Sequence, residues 1–222
     1  MIAIYYANRA EKSILDPVKN ALDRINEECL YVDLSRKISF IEDDKNLSRV
    51  YDYVFNQLED HPEIRAGIVI GDRREIMFAS LAMFVKDVEV IQLAAGDLSD
   101  EISLVDDYFR HLITILSDKQ VCFTKKSKQK SDKIRSHLNL CTDSRYIPNP
   151  TLSDLNLDSI ERKNLEDYDL VLVHPQSLSY EETVLDSQEV CERIVDGKKT
   201  FIIRGNRDKN YEILYSTWDK LS

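Results

Sequence analysis

The chain has 222 residues, of which 43% are hydrophobic, enough to bury one large core or two modest ones. Its 30 basic and 40 acidic side chains give a net charge of -10. No broad cationic face is therefore available to neutralise a nucleic-acid backbone, and we expect no nucleic-acid binding. The net charge does not exclude binding of a small anionic ligand, because one phosphate needs only a few backbone N–H groups and one or two arginines.

The N-terminus lacks a basic stretch followed by a long apolar run, and no apolar run reaches the roughly 18 residues of a membrane span. We therefore expect a cytoplasmic protein with no membrane partner. The four cysteines are widely spaced and form no CxxC pair. This spacing favours reduced thiols over disulfides or a zinc site, so we expect no metal.

Short apolar runs rich in β-branched residues alternate with helix-like or polar stretches along the first two-thirds of the chain. The predicted strands are Ile2 to Ala7, Cys29 to Leu34, Ala66 to Ile70, Val88 to Ala95 and Val121 to Thr124. Between strands, apolar residues recur at helical spacing, as in Tyr108, Leu112 and Ile115. The alternation predicts βαβ units, and hence an α/β fold with a Rossmann-like, doubly wound parallel sheet and right-handed crossovers.

A change of composition marks the end of this pattern. A basic, polar segment from Lys125 to Lys133 leads towards Tyr146 to Pro150, where two prolines interrupt regular structure. We place a domain boundary there, which gives a first domain over residues 1–150 and a second over residues 151–222.

The second domain is predicted to be a partial α/β domain with roughly two or three parallel strands. Its predicted strands are Asp169 to Val173 and Thr200 to Ile203. Helix-like segments run from Tyr180 to Val195 and from Tyr211 to Leu221.

Polar residues collect directly after the predicted strands, where open parallel sheets bind their ligands. These clusters are Ala7-Asn8-Arg9, Gly71 to Glu75, Gly96-Asp97, His174-Pro175 and Arg204 to Asp208. Neither GxGxxG nor a P-loop is present, so no cofactor is predicted. We expect Arg9, Asp72, Asp107 and His174 to converge on one cleft.

Structural roles compete with functional ones at these positions. Asp72 follows a strand and opens a helix, which suits it to act as an N-cap. Arg9 and Arg73 are equally explained as solvated surface arginines, together with Arg74. His174 is either a satisfied histidine at a strand end or a ligand-facing one.

Asp106 and Asp107 begin a predicted helix, with Arg110 and His111 one turn later. The structural interpretation is that the helix N-terminus favours these carboxylates, one of which pairs with Arg110 at i,i+4 or i,i+3. The functional interpretation is a general base positioned by a neighbouring cation.

Two stretches carry a resemblance to a known family. Residues 71–82, GDRREIMFASLA, are similar to the GDR-x-E-x-x-x-A-x-x-A stretch of the hydrolysing UDP-N-acetylglucosamine 2-epimerases. Residues 105–114, VDDYFRHLIT, resemble that family's I-D-[DE]-x-x-R-H-A-I-T-K-L, with the same spacing.

Further similarities follow in the same chain order. Asn8-Arg9 with Glu11 resemble the family's G-T-R-x-[ED] loop, and Pro150 falls at its G-x-P. His174-Pro175 resemble its H-P-[VT], and Arg204 to Asp208 resemble its P-N-x-D-x-G. The resemblance therefore covers most of the chain.

The resemblance implies two Rossmann-like domains facing a cleft, as in GT-B glycosyltransferases, with a UDP-sugar as ligand. The family eliminates UDP from UDP-N-acetylglucosamine through 2-acetamidoglucal and adds water to give N-acetylmannosamine, a sialic-acid-type precursor. Such chemistry needs a base for the C2 proton, an acid or cation for the leaving phosphate, and a group that protonates C2 again.

Residue by residue, the resemblance implies catalytic roles for Asp72, for Asp106 or Asp107 as the second carboxylate, and for His174 as the cleft histidine. It implies that Arg9 lies on the phosphate side. The other residues implied in substrate binding are Arg73, Arg110, His111, Asn206 and Asp208.

The chain also departs from the family pattern. Ala94 stands where the family's H-[IV]-[EH]-[GA]-G motif has an acidic or polar residue, so one proton-transfer group is missing. Arg204-Gly205 replace a proline-containing lead-in, and Lys209-Asn210 replace a glycine turn. The sequence ends at Ser222, before the family's G-N-S-S-x-G and G-x-R-x-x-G-R-E segments that hold UDP.

Three hypotheses follow. The first is an epimerase that is active with a separately encoded second half or as part of a longer natural chain, and nearly inactive alone; a homo-oligomer is the other partner expected. The second is a non-catalytic relative that binds a nucleotide sugar or a partner enzyme. The third is a glycosyltransferase of the same fold class.

Overall fold

The computed structural model describes residues 1–38, 46–98, 105–152, 167–175, 179–194, 198–205 and 210–221. The chain divides into two compact units, Met1–Asn156 and Leu157–Ser222. Each unit is an α/β structure built from the elements below.

The first unit contains a parallel sheet. Its strands in the described residues are β1 (Ile2–Tyr6), β2 (Cys29–Asp33), β3 (Ala66–Ile70), β4 (Glu89–Leu93), β5 (Lys119–Cys122) and β6 (Ser144–Tyr146). They lie in the order β2-β1-β3-β4-β5-β6, and every neighbouring pair is parallel. The predicted α/β fold class with a parallel sheet is confirmed.

Helices connect these strands. They are α1 (Arg9–Arg24), α2 (Leu34–Lys37), α3 (Leu47–Asp60), α4 (Arg74–Val85), α5 (Val105–Leu116) and α6 (Lys125–His137). A short 3-10 turn, Pro150–Leu152, follows β6.

Helices cover both faces of the sheet, as in a doubly wound fold. Ala3 and Tyr5 of β1 belong to a core that includes Val54 of α3, Ile76 of α4 and Ile113 of α5. The alternate residues of β1 face a second core with α1, formed by Ile4, Tyr6 and Leu15. Because successive strand residues point to opposite faces, β1 and β3 are apolar along their whole length and fully buried.

The order of the strands places a crevice at one point of the sheet. From β1 the chain moves to β2 on one side and then returns to β3 on the other side of β1. The loops after β1 and β3 therefore diverge at the carboxyl edge, where sheets of this kind bind ligands. Ala7 begins one of these loops and Gly71 the other.

Two elements were not predicted from the sequence. The polar segment after β5 forms α6, whose N-cap Thr124 accepts a hydrogen bond from the Ser127 N–H. The strand β6 lies at the sheet edge and ends at Tyr146, before the two prolines.

The second unit has two parallel strands in its described residues, β7 (Tyr168–Val173) and β8 (Lys199–Arg204). They confirm the two predicted strands, with slightly wider bounds. Helix α7 (Tyr180–Arg193) lies between them in sequence and α8 (Tyr211–Leu221) follows β8. Leu214 and Trp218 of α8 are the buried apolar side chains of this unit in the described ranges.

No helix within the described ranges combines the length and the apolar character needed to cross a lipid bilayer.

Candidate functional site

Arg110 connects three polar groups at the carboxyl edge of the first sheet. Its Nη1 donates to Asp107 Oδ1 at 2.9 Å and to the Asp97 carbonyl at 2.9 Å, and its Nη2 donates to Asp72 Oδ2. Asp72 follows β3, Asp97 follows β4, and Asp107 precedes Arg110 by one turn of α5. We call Asp72, Asp107 and Arg110 the arginine cluster.

The arginine cluster is largely shielded from water. The Arg110 and Asp107 side chains are 12% and 13% exposed, whereas Asp72 keeps 31% of its surface. Charge-assisted hydrogen bonds of this kind fix both carboxylates in place. Asp72 is thus the member of the cluster that a ligand can reach most easily.

The position of Asp72 depends on the glycine before it. Gly71 has φ of +99°, and a Cβ at this residue would lie 3.1 Å from Glu11 Oε1. Only glycine adopts this backbone conformation without strain beside a buried carboxylate. The turn directs Asp72 towards α5.

The N-cap interpretation of Asp72 is wrong. Helix α4 begins at Arg74, and Arg73 occupies the N-cap position without a side-chain cap hydrogen bond. The turn at Gly71 places Asp72 one residue too early to cap the helix, and its carboxylate pairs with Arg110 instead. Of the two spacings predicted for α5, the i,i+3 pair between Asp107 and Arg110 is the one present.

Asp106 differs from the other two carboxylates. Burial raises its pKa, and the negative charge of Asp72 raises it further, against the opposing effect of Arg73 and Arg110. Its neighbours therefore favour the protonated form of Asp106 more than they would for a solvated carboxyl group.

Two more carboxylates are buried beside the loops after β1 and β3. Glu11 is 6% exposed and accepts a 2.6 Å hydrogen bond from the Ala7 N–H, while Glu75 is 1% exposed and lies 3.4 Å from Arg73 Nη2. Burial raises the pKa of Glu11 to about 7, partly offset by the Ala7 N–H and by Arg73. From the sequence, Glu11 was predicted only as part of a motif, and Glu75 had no predicted role of its own.

Four further predicted residues are not seen in contact with the arginine cluster or fall outside the described residues. Arg9 is the exposed first residue of α1 and makes no hydrogen bond to the cluster in the described part of the chain. His174 follows β7 in the second unit, next to Gly205. Asn206 and Asp208 fall outside the residues that the structure describes.

His111 follows Arg110 on α5. Burial lowers its pKa, and the positive charge of Lys130 lowers it further. Its Nδ1 is buried and has no hydrogen-bond partner within the ranges described. A neutral imidazole is the form that this environment favours.

Gln92 and Thr114 support the cluster and were missed as supporting residues. Gln92 is fully buried on β4; its Nε2 donates to the Arg110 carbonyl at 3.0 Å, and its Oε1 accepts from the Thr114 hydroxyl at 2.8 Å. A glutamine in the middle of an otherwise apolar strand was the available signal, because buried polar groups need partners.

Ala94 has a left-handed backbone, with φ of +56° just after β4. Non-glycine residues seldom adopt this conformation, which is enriched at functional sites. The sequence thus places alanine, which carries no proton-transfer group, at a turn of unusual geometry. Among the described residues no group of three His, Cys, Asp or Glu side chains has metal-binding geometry.

Sequence comparison with known proteins gives one match, to a family model. The family model for UDP-N-acetylglucosamine 2-epimerase matches residues 61–221. No curated protein sequence matches this chain at the level required for a significant similarity.

Several solved structures share the fold at low sequence identity. The UDP-GlcNAc 2-epimerase from Neisseria meningitidis, bound to UDP-GlcNAc, matches with a TM-score of 0.74 and 15% identity over 100% of this chain and 70% of that one. The enzyme from Methanocaldococcus jannaschii gives a TM-score of 0.67 and 17% identity over 99% and 70%. The protein from Rickettsia bellii gives a TM-score of 0.70 and 14% identity over 98% and 71%.

These structural matches establish a shared fold, and the family model extends over most of the chain. The chain belongs to the UDP-N-acetylglucosamine 2-epimerase family.

Proposed function

We propose that this protein binds UDP-N-acetylglucosamine with the sugar against the arginine cluster, and that the cluster serves C2 inversion of that sugar. The observation that carries the proposal is the meeting of Asp72 and Asp107 on Arg110 at the carboxyl edge of a family-typical sheet. Solved relatives from Neisseria meningitidis and Methanocaldococcus jannaschii are described in complex with UDP-GlcNAc, which supports the choice of ligand.

The proposed chemistry divides the proton transfers between two environments. Asp72 is partly exposed and is held in position by Arg110, so it is placed to remove the C2 proton. Asp106 has a raised pKa and suits proton donation. Arg110 acts as a positioning residue, because its Nη1 is fully used by Asp107 and the Asp97 carbonyl.

Arg9 and His174 are proposed to act on the leaving group, UDP. A cation and a proton donor near the phosphate would stabilise the charge that develops as UDP departs. In this proposal Arg9 contacts the phosphate and His174 donates to it. Arg73, His111, Asn206 and Asp208 are proposed as further contacts to the bound nucleotide sugar.

A non-catalytic binding role is the second candidate function, and Ala94 favours it. A positioned acid–base group contributes about 100- to 10,000-fold to a rate, so alanine at this turn removes a step that an epimerase needs. Binding requires no such group. The two candidates therefore share the ligand and differ in turnover.

The proposed function is tested by titrating the 222-residue protein with UDP-N-acetylglucosamine in a calorimeter. We expect saturable binding that Asp72→Asn weakens about tenfold, since a hydrogen bond to a charged group is worth about 1.5 kcal/mol or more. Asp52→Asn is the matched control, because Asp52 is exposed on α3 and the charge change is the same. Absence of saturable binding by the wild type would overturn the proposal.

A further inference from the structure

A cavity of about 690 Å³ opens beside the arginine cluster, on the side of α6. The loop after β4 forms one wall, through Gly96 and Asp97, and the first three turns of α6 form the other. Its volume falls in the range of small-molecule sites, and it lies at the carboxyl edge of β4 and β5.

Three lysines of α6 line this cavity: Lys126, Lys130 and Lys133. Their spacing of i, i+4 and i+7 places them on one face of the helix. In the ranges that the structure describes, none of their side-chain ammonium groups has an ion-pair or hydrogen-bond partner. Lys128, which does not line the cavity, instead pairs with Asp132 at 2.7 Å.

The positive charge of this face is not neutralised by its surroundings. Asp97 is the one acidic residue among those that line the cavity, and its carboxylate accepts from the Ser127 hydroxyl. The charge of Arg110 is already offset by Asp72 and Asp107. Like charges at i,i+4 destabilise a helix slightly, and an anion held between the three lysines would relieve this repulsion.

The backbone adds to the same effect. Thr124, the N-cap of α6, lines the cavity, so the positive end of the dipole of a 13-residue helix lies at its wall. Gly96 fits against this turn so closely that a Cβ there would lie 2.1 Å from the Ser127 carbonyl oxygen. The two walls are therefore packed together and leave the lysines around a fixed opening.

We infer that this cavity binds a small molecule through a phosphate group held by Lys126, Lys130 and Lys133. The shared chemistry is that of a free diphosphate or of a phosphorylated sugar. The half-open cavity combines an excess of unpaired lysine side chains with a helix N-terminus, in a protein whose net charge is -10. This inference does not rest on the epimerase proposal.

The test is a calorimetric titration of the full chain with inorganic pyrophosphate and with N-acetylglucosamine 1-phosphate, at low and at high salt. We expect saturable binding of at least one of these two probes, with affinity that falls as salt screens the lysines. Neutral N-acetylglucosamine shows how much of the binding is due to the sugar alone.

Two double variants on the same helix separate this site from general electrostatics. Lys126→Gln with Lys130→Gln should weaken the phosphate probe by roughly tenfold for each lysine. Lys125→Gln with Lys128→Gln makes the same charge change away from the cavity and should leave the affinity almost unchanged. Circular dichroism checks that both variants are folded.

The outcomes are distinct. Binding of pyrophosphate alone identifies a free diphosphate as the ligand class, and tighter binding of the sugar phosphate identifies the phosphorylated sugar. Failure of both probes to bind saturably, or equal affinities in the two double variants, overturns the inference. If the wild type binds pyrophosphate but not UDP-N-acetylglucosamine, the proposed function is wrong and this inference still holds.

Discussion

Glu11 occupies a place where a carboxyl group is costly when ionised. It is 6% exposed at the point where the loops after β1 and β3 diverge, and its Oε1 has no hydrogen-bond partner in the described part of the chain. Arg73 lowers its pKa, whereas Asp72 and Glu75 raise it, and burial outweighs all three. Its pKa of about 7 lies above the 4.5 of an unperturbed glutamic acid.

This difference predicts a pH-dependent stability. Between pH 4.5 and 7 the native chain holds a proton on Glu11 that the unfolded chain has lost, so stability falls as pH rises through this window. The contribution present below pH 4.5 and lost above 7 is on the order of 3 kcal/mol. Glu11→Gln should remove it, because glutamine stays neutral and its Oε1 can still accept from Ala7.

The measurement is urea unfolding at pH 5 and pH 7.5 for the wild type, for Glu11→Gln and for Glu28→Gln, an exposed control of the same charge change. The wild type and the control should lose more stability between these pH values than Glu11→Gln does. Equal losses in all three proteins would show that Glu11 is ionised in the native state at both pH values.

Ala94 allows a gain-of-function prediction. Its backbone is already left-handed, so a glutamate there meets the same backbone conformation as the alanine. We expect Ala94→Glu to release UDP from UDP-N-acetylglucosamine faster than the wild type, by about 100-fold or more. Ala94→Gln, of equal size but without an acid, is the control; equal rates in the two variants would show that residue 94 does not limit turnover.

The sequence predicted that Asp72 and Asp107 converge, since both lie at the carboxyl edge of a parallel sheet. The sequence did not show whether Asp72 caps helix α4 or pairs with Arg110. That choice depends on Gly71, whose φ of +99° becomes visible only when the turn is formed. Whether Arg9 and His174 act with the cluster stays a prediction.

At the scale of elements, α5 is held in place by polar contacts at its middle and at its C-terminal end. At the middle Gln92 donates to the Arg110 carbonyl, and at the end Arg135 donates to the carbonyls of Thr114 (2.8 Å) and Ser117 (2.6 Å). Arg135 is 6% exposed and also donates to the Cys141 carbonyl at 2.6 Å. A cation at the helix C-terminus satisfies carbonyls that the helix leaves free.

Arg135→Ala should therefore destabilise the protein by about 2 to 4 kcal/mol, because it leaves several buried carbonyls without a donor. Arg145→Ala is the comparison, since its side chain is 73% exposed and its loss should cost within about 0.5 kcal/mol. Chemical denaturation measures both values. A loss below about 1 kcal/mol for Arg135→Ala would contradict the assigned role.

Helix α6 and strand β6 were not predicted, because neither has the apolar pattern of a buried element. The buried face of α6 consists of Ser127, Ser131 and Arg135, so it carries no apolar periodicity. Strand β6 lies at the sheet edge and exposes two of its three residues. By contrast, the strands buried on both faces, such as β1 and β3, were predicted because each is a continuous apolar run.

At the scale of the molecule, the two units differ in how their sheets are covered. In the first unit β1 and β3 are buried along their whole length. In the second, Leu170 of β7 is 60% exposed and Phe201 of β8 is 47% exposed. Local stability depends on such burial, so it should differ between the units.

Amide hydrogen exchange of the unliganded chain measures this difference. We expect the amides of β1 and β3 to exchange most slowly and those of β7 and β8 much faster. Equal protection in both units would show that the exposed face of the second sheet is covered in solution.

The same measurement with saturating UDP-N-acetylglucosamine tests the central claim, that this ligand binds at the arginine cluster. We expect slower exchange over residues 71–75 and 105–111, with α3 unchanged as the internal control. Bound ligand with no change in either segment would place the site elsewhere and overturn the proposed function.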